Sequence, residues 1–262
     1  MTKTDTPHPA HPGLLRLSGT IGPRQLRVWR RPPTPRLVNL DQWVAVDLGD
    51  RIRIVVADAA YNRLDSDPTE PAAAAAAALT MFEADSTLLE AAGRANDLIH
   101  RLFAPLPVAR LDGRPIVCVA AADLWPDGKV DALRVGDCEV WVRGTDGHMV
   151  RLLGGDWLTP RGQDIYQTDI APTKRTDRAA HLKAHDRLAD PSLSVNYPLG
   201  FSEALRVQTA QAQTSGRVAV ASDGWDLGDE SPLVCFDART RHLSAREGSP
   251  YPHGDLSAVE LF

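Results

Sequence analysis

Residues 218–226 read VAVASDGWD. The apolar run 218–222 has the composition of a buried strand, and it delivers Asp223 and the turn-forming Gly224 at its mouth. The same arrangement occurs earlier, where RIRIVVAD (51–58) runs an apolar strand into Asp58. A third aspartate, Asp137, falls in the turn between two further strand candidates, 131–135 and 139–143. A carboxylate at the end of a buried strand is held rigidly while its head faces a cleft. Oxygen ligands brought together from separate segments are how hard divalent cations are gripped. Any one such aspartate reads equally well as an ordinary turn residue. The ordered set carries the reading.

Residues 14–31 suggest a hairpin, and RPPTP (31–35) breaks regular structure. QWVAVD (42–47) and the strand over 51–57 form a pair joined at Leu48-Gly49-Asp50. Seven consecutive alanines, 72–78, follow Pro71. Alanine is the best helix former and proline suits a first turn, so a helix is expected over 71–83. A second helix is expected over 87–103, capped by Ser86, with Leu88, Leu89, Ala92, Ala95, Ile99 and Leu102 on one side. Strands are expected again at 116–123, 131–135, 139–143, 148–153, 206–211, 217–222 and 257–262, with polar, irregular chain over 154–180 and a short helix over 179–189. Two strands, two helices and then a long succession of strands describe an α+β protein. Two packed antiparallel sheets, a β-sandwich flanked by α-helices, satisfy that order.

The composition bounds the function. The chain has 262 residues, 43% hydrophobic and 24% charged, which suits one large folded domain over 14–262 after a Pro- and His-rich leader, 1–13, expected to be disordered. Residues 1–36 carry a net charge of +6, and the remainder −11. An acidic body argues against nucleic-acid binding, which rests on neutralising phosphates, and favours a carboxylate-lined cation site. No apolar run approaches the roughly 18 residues of a membrane span, so no membrane partner is expected. Cys118, Cys138 and Cys235 are odd in number and far apart, and read as reduced, buried thiols of a cytoplasmic protein.

Taken in order, these segments resemble the metal-dependent serine/threonine protein phosphatases of type 2C. Arg36-Leu37-Val38-Asn39-Leu40-Asp41 keeps the Arg, Asn and Asp of the family's opening motif. VVADAA, with Asp58 and Ala59, stands at its strand ending in Asp-Gly. Ala95-Asn96, Val135-Gly136-Asp137-Cys138 (for Gly-Asp-Ser) and Pro198-Leu199-Gly200 follow in register. Ser222-Asp223-Gly224-Trp225-Asp226 matches Ser-Asp-Gly-Leu-Trp-Asp, and Gly254-Asp255-Leu256-Ser257 stands at the final motif. The resemblance spans about residues 30–262.

The resemblance implies a β-sandwich with two divalent cations, Mn²⁺ or Mg²⁺, in the cleft at the sheet edges. It implies hydrolysis of protein phosphoserine or phosphothreonine through a metal-activated water, with a phosphorylated protein as substrate and a partner kinase as its source. Carried over, Asp58 bridges both metals, the Ala59 carbonyl contacts one, and Asp223 and Asp255 are ligands. Asp137 helps hold a third, weaker ion or the water network. Arg36 grips the substrate phosphate through a bidentate charged contact. A variable flap over about 154–200 governs substrate choice. Three departures stand against this pattern. Leu40 replaces a Glu or Gln. Ala59 and Ala60 replace a glycine-rich turn, with no histidine after Asp58. Gly254 takes the place of an aspartate ligand. They motivate a second reading, a non-catalytic pseudophosphatase that binds a phosphoprotein or signalling partner.

Other signals are weaker. His181 and His185 share a helical spacing, but HLKAH lacks the glutamate of a zinc hydrolase motif. Ser222 lacks the Gly-x-Ser-x-Gly elbow. Cys138 reads as a small core side chain, and Trp125, Trp141, Trp157 and Trp225 as packing residues.

Overall fold

Period-two alternation builds the body of the protein. The computed structural model describes residues 6–7, 15–31, 41–60, 69–81, 86–103, 116–155, 157–170, 172, 186–200, 204–222 and 256–262. One sheet contains β1 (Thr6–Pro7), β2 (Leu15–Ile21), β3 (Arg24–Arg31), β8 (Glu139–Arg143), β9 (Met149–Leu153), β11 (Val218–Ala221) and β12 (Leu256–Leu261), in the order β1-β2-β3-β12-β11-β8-β9. The other contains β4 (Gln42–Asp47), β5 (Ile52–Ala60), β6 (Ile116–Leu124), β7 (Lys129–Val135) and β10 (Gln208–Gln213), in the order β10-β7-β6-β5-β4. Every pairing between these strands is antiparallel.

Alternation then decides which side chains meet. In β5, Ile52, Ile54 and Val56 face the opposite sheet, where they join Cys118, Ala120, Ala122 and Leu124 of β6 and Val140, Val218, Val220, Val259 and Leu261 of the second sheet. Val55 and Ala57 face the other way, toward α1 (Thr69–Met81) and α2 (Leu88–Phe103), with Val117, Val119 and Ala121 beside them. The helices pack closely because their buried faces are small. Ala72, Ala75, Ala76 and Leu79 of α1 meet Ala91, Ala92, Ala95 and Ile99 of α2. The expected sandwich with helices on a sheet is the observed one. No helix among the described residues is long and apolar enough to cross a membrane.

Local differences have local reasons. Strand β5 continues through Asp58 to Ala60, because Asp58 and Ala59 still pair with Cys118 and Val117. Helix α2 is capped by Thr87 rather than Ser86. The Thr87 hydroxyl accepts from the Glu90 amide (3.2 Å), and the Glu90 carboxylate accepts in return from the Thr87 amide (2.9 Å), a reciprocal capping box. That contact holds the Glu90 carboxyl below its ordinary range. Leu89 and Leu102, expected on the buried side of α2, are about half exposed. Of the leader, Thr6 and Pro7 form β1 against Arg16 and Leu15; the rest of the stretch expected to be disordered lies outside the described residues. Within 154–180, a short helix α3 (Pro160–Ile165) runs directly into one turn of π-helix over Tyr166–Ile170. Only a 3-10 turn, Asp186–Ala189, is described from the region where a short helix was expected. Trp141 packs on the outer face of the seven-stranded sheet with Trp29, and Trp125 lies half-buried against Lys129.

A buried ion cluster ties the five-stranded sheet to its helices. Arg53 and Asp123, cross-strand partners on the helix-facing side, make two short contacts, Nε to Oδ1 (2.6 Å) and Nη2 to Oδ2 (2.7 Å). Arg51 Nε adds a third to Oδ2 at 3.0 Å. Arg53 Nη1 donates to the Leu79 carbonyl in the last turn of α1 (2.9 Å), and Nη2 of Arg53 and of Arg51 to the Ser86 carbonyl just before α2 (2.9 and 3.1 Å). The Leu79 carbonyl, one of the last of α1 and so without an intrahelical partner, is thereby satisfied from the sheet.

Candidate metal centre

The centre lies where the chain leaves one sheet for the other. Strand β7 ends at Val135 in the five-stranded sheet, and β8 begins at Glu139 in the seven-stranded sheet. Gly136, Asp137 and Cys138 make the crossing, so they stand at one end of the sandwich. Asp58 arrives there from β5. It follows Ile52, Ile54 and Val56 in the alternation that faces the opposite sheet, and its cross-strand partner is Cys118. Strand β11 ends at the same place, since Ala221 pairs with Glu139.

The result is a compact donor set. One ligand atom each from Asp58, Asp137 and Cys138 lie within 4.8 Å of one another. Asp58 and Asp137 are half-buried and Cys138 is buried. Asp137 Oδ1 is shielded from solvent and has no hydrogen-bond partner. A buried carboxylate oxygen without a donor is costly, and a cation at the cluster satisfies it. The donor set therefore fits a divalent ion. Burial, reinforced by the Asp137 and Asp58 charges, pushes the Cys118 thiol well above its ordinary range. Burial likewise raises Cys138, with Cys118, Asp58 and Asp137 adding to it.

The turn is fixed by geometry and by a buried polar network. Gly136 has φ +72°, a left-handed conformation that favours glycine, and a Cβ there would meet the Cys118 Sγ and would lie 2.6 Å from its Cβ. Its amide donates to Asn196 Oδ1 (2.6 Å), and Asn196 Nδ2 donates to Gln208 Oε1 (3.1 Å). Buried Arg134 donates to the same Gln208 oxygen (2.5 Å), to the Gly155 carbonyl (2.6 Å) and to the Cys138 carbonyl (3.5 Å). Desolvation lowers the Arg134 guanidinium from its ordinary value. Gly136→Ala is expected to destabilise the protein by about 2–3 kcal/mol, from left-handed backbone strain plus overpacking against Cys118. Urea unfolding monitored by far-ultraviolet circular dichroism checks this; an unchanged midpoint would contradict it.

Two motifs noted separately in the sequence are one contact in space. The Gly200 amide donates to Asn96 Oδ1 (3.0 Å, buried), so Ala95-Asn96 on α2 holds the Leu199-Gly200 loop against the sheet. Leu199 exchanges both backbone hydrogen bonds with Val117 of β6 (2.9 and 3.1 Å). Val117 thus has none left for β5, and the Ala59–Val117 pair is of the non-hydrogen-bonded kind. The Ala59 carbonyl is not spent on β6.

Asp58, Ala59 and Asp137 are brought to one end of the sandwich. Arg36, Leu40, Asp223, Gly254 and Asp255 lie outside the described residues, as do His181, His185, Cys235 and Trp225. Among the described residues, Ser222, at the end of β11, donates its amide to the Ser257 carbonyl (2.9 Å), and the Ser257 amide donates to Ser222 Oγ (2.9 Å). Sequence reading missed Arg134, Asn196 and Gln208. The only signal was a cation inside the apolar strand ALRV.

No protein-family model matches the sequence, and no curated protein does. The fold, however, matches solved structures over nearly the whole chain. The serine/threonine phosphatase Stp1 from Staphylococcus aureus superposes with a TM-score of 0.59 at 9% identity, covering 90% of this chain and 93% of that one. RsbX in complex with magnesium gives 0.57 at 10% identity, covering 94% and 98%. The PPM Ser-Thr phosphatase MsPP from Mycobacterium smegmatis, in complex with cacodylate, gives 0.54 at 18% identity, covering 90% and 97%. The chain has the type 2C phosphatase fold, at low sequence identity to these structures.

Proposed function

We propose that this protein is a metal-dependent phosphatase acting on phosphoserine or phosphothreonine in proteins. The convergence of Asp58 and Asp137 within one 4.8 Å group at the sandwich end is the observation that carries the reading. Asp58, Asp137 and the Ala59 carbonyl are the groups we assign to hold divalent cations, Mn²⁺ or Mg²⁺, with Asp223 and Asp255 completing the set. Two such ions, when bound, supply an activated water and charge balance for the phosphoryl group. Arg36 binds the substrate phosphate, as a guanidinium does best, through two parallel hydrogen bonds. Asn96, Asn196 and Arg134 neither bind nor react; they hold the loops that present the carboxylates. The region 154–200 selects the substrate, and a kinase supplies the phosphoprotein in the same, cytoplasmic, compartment.

Calorimetry with Mn²⁺, paired with phosphate release from a phosphothreonine peptide, tests the assignment. Two bound ions and Mn²⁺-dependent turnover are expected. Absence of heat and of thermal stabilisation at millimolar Mn²⁺ would instead favour the pseudophosphatase reading that Leu40, Ala59 and Gly254 motivate.

A further inference from the structure

We infer that Cys138 is a sulfur ligand in this centre, which makes it a mixed thiolate–carboxylate site for a thiophilic divalent cation of the zinc class. The inference rests on reading the cluster as a cation site, and not on hydrolysis. Cys138 occupies the position where the resembled family carries serine, and it lies at the edge where the apolar layer between the sheets meets the two carboxylates. Its Sγ belongs to the same 4.8 Å group as one oxygen each of Asp58 and Asp137. Around a tetrahedral ion with metal–sulfur near 2.3 Å and metal–oxygen near 2.0–2.2 Å, neighbouring donors stand about 3.5 Å apart. Small side-chain adjustments suffice to reach that spacing.

A second observation points to the same ligand. Asp137 Oδ1, in the residue adjacent to Cys138, is buried without a hydrogen-bond partner. An ion held by this oxygen, by Asp58 and by the neighbouring sulfur satisfies it. Cys138 itself is closed to solvent, whereas Asp58 and Asp137 are partly exposed, so the group lies at the margin of the core rather than inside it. The backbone is already set for this. The Gly136 amide is fixed by Asn196, and the Cys138 carbonyl lies 3.5 Å from the Arg134 guanidinium, a buried positive charge that offsets part of the anionic donor set. Cys118, the other thiol nearby, is not in the group. Sulfur in the set shifts preference away from Mg²⁺, which favours oxygen, toward zinc and cadmium. Coordination releases the Cys138 thiol proton to solvent, one per ion bound.

The full-length protein titrated with Cd²⁺ reports sulfur ligation through the thiolate-to-metal charge-transfer band. The expected result is a band that saturates at one thiolate per chain, disappears in Cys138→Ser and Cys138→Ala, and persists in Cys118→Ser and Cys235→Ser. X-ray absorption of the Zn²⁺-loaded wild-type protein, which needs no variant to fold, should show one sulfur at about 2.3 Å. A wild-type shell of oxygen and nitrogen only, or a band that survives Cys138→Ser, overturns the inference. Mn²⁺-dependent turnover without a Cd²⁺ band removes this inference and leaves the hydrolytic reading intact. A Cys138-dependent band without turnover upholds it and removes the hydrolytic reading.

Discussion

Asp58→Asn is expected to lower Mn²⁺-dependent phosphate release by more than about 100-fold while leaving the fold intact. The amide is the same size as the carboxylate, and the residue is only half-buried, so packing gives no reason for collapse. What changes is charge. Removing an outer partner of a metal ligand already costs about 10–100-fold in affinity or activity, and a ligand itself costs more. Asp58 sits near the end of β5, after the buried Val56 and Ala57, in surroundings where screening by water is partial. There the loss of a full negative charge is felt more strongly than at an exposed site. The same substitution should also abolish the thermal stabilisation given by Mn²⁺, since that shift scales with ion binding to the native state. Wild-type turnover together with an undiminished Mn²⁺-induced shift in Tm would show that Asp58 is not a ligand.

The fold was legible from periodicity, because a sandwich repeats one instruction many times. QWVAVD and EVWVR are strands at the residues where apolar runs bounded by turns place them. Asp58 and Asp137 were legible for a related reason: each is a polar residue where an apolar run stops, and β5 and β7, both antiparallel to the β6 between them, bring those stops to the same end of the sheet. Capping was readable but misassigned. Ser86 and Thr87 are both good caps, and Glu90 three residues after Thr87 decides between them. The support behind the centre was not readable. Gly136 and Asn196 are 60 residues apart, Arg134 and Gln208 are 74 apart, and no local pattern joins them. The importance of Cys138 was hidden by its own hydrophobicity, since a small buried thiol and a metal ligand look alike until their neighbours are placed.

Asp123→Ala is expected to destabilise the protein by about 3–5 kcal/mol, the cost of removing one partner from a buried ion cluster. The magnitude follows from what remains behind. Arg53 is 1% exposed and Arg51 8%, so neither guanidinium can recover its lost contacts from water without opening the sheet–helix interface. Backbone carbonyls of Leu79 and Ser86 still accept from them, but no other carboxylate among the described residues lies against Arg53, and Asp50 meets only Arg51. The cluster is not thereby a net source of stability, because desolvating three charges offsets much of their attraction. Its effect is to fix register: Arg53 and Asp123 are cross-strand partners, and a one-residue slip of β5 on β6 would turn a buried charge toward the apolar layer between the sheets. An exposed pair makes the contrast. Arg101 and Asp97 approach only to 3.8 Å with both side chains largely in solvent, and Asp97→Ala should change stability by less than about 1 kcal/mol. Urea unfolding of the two variants side by side measures the difference. Equal midpoints would mean that the α1–α2 layer is held to the sheet by its alanine packing alone.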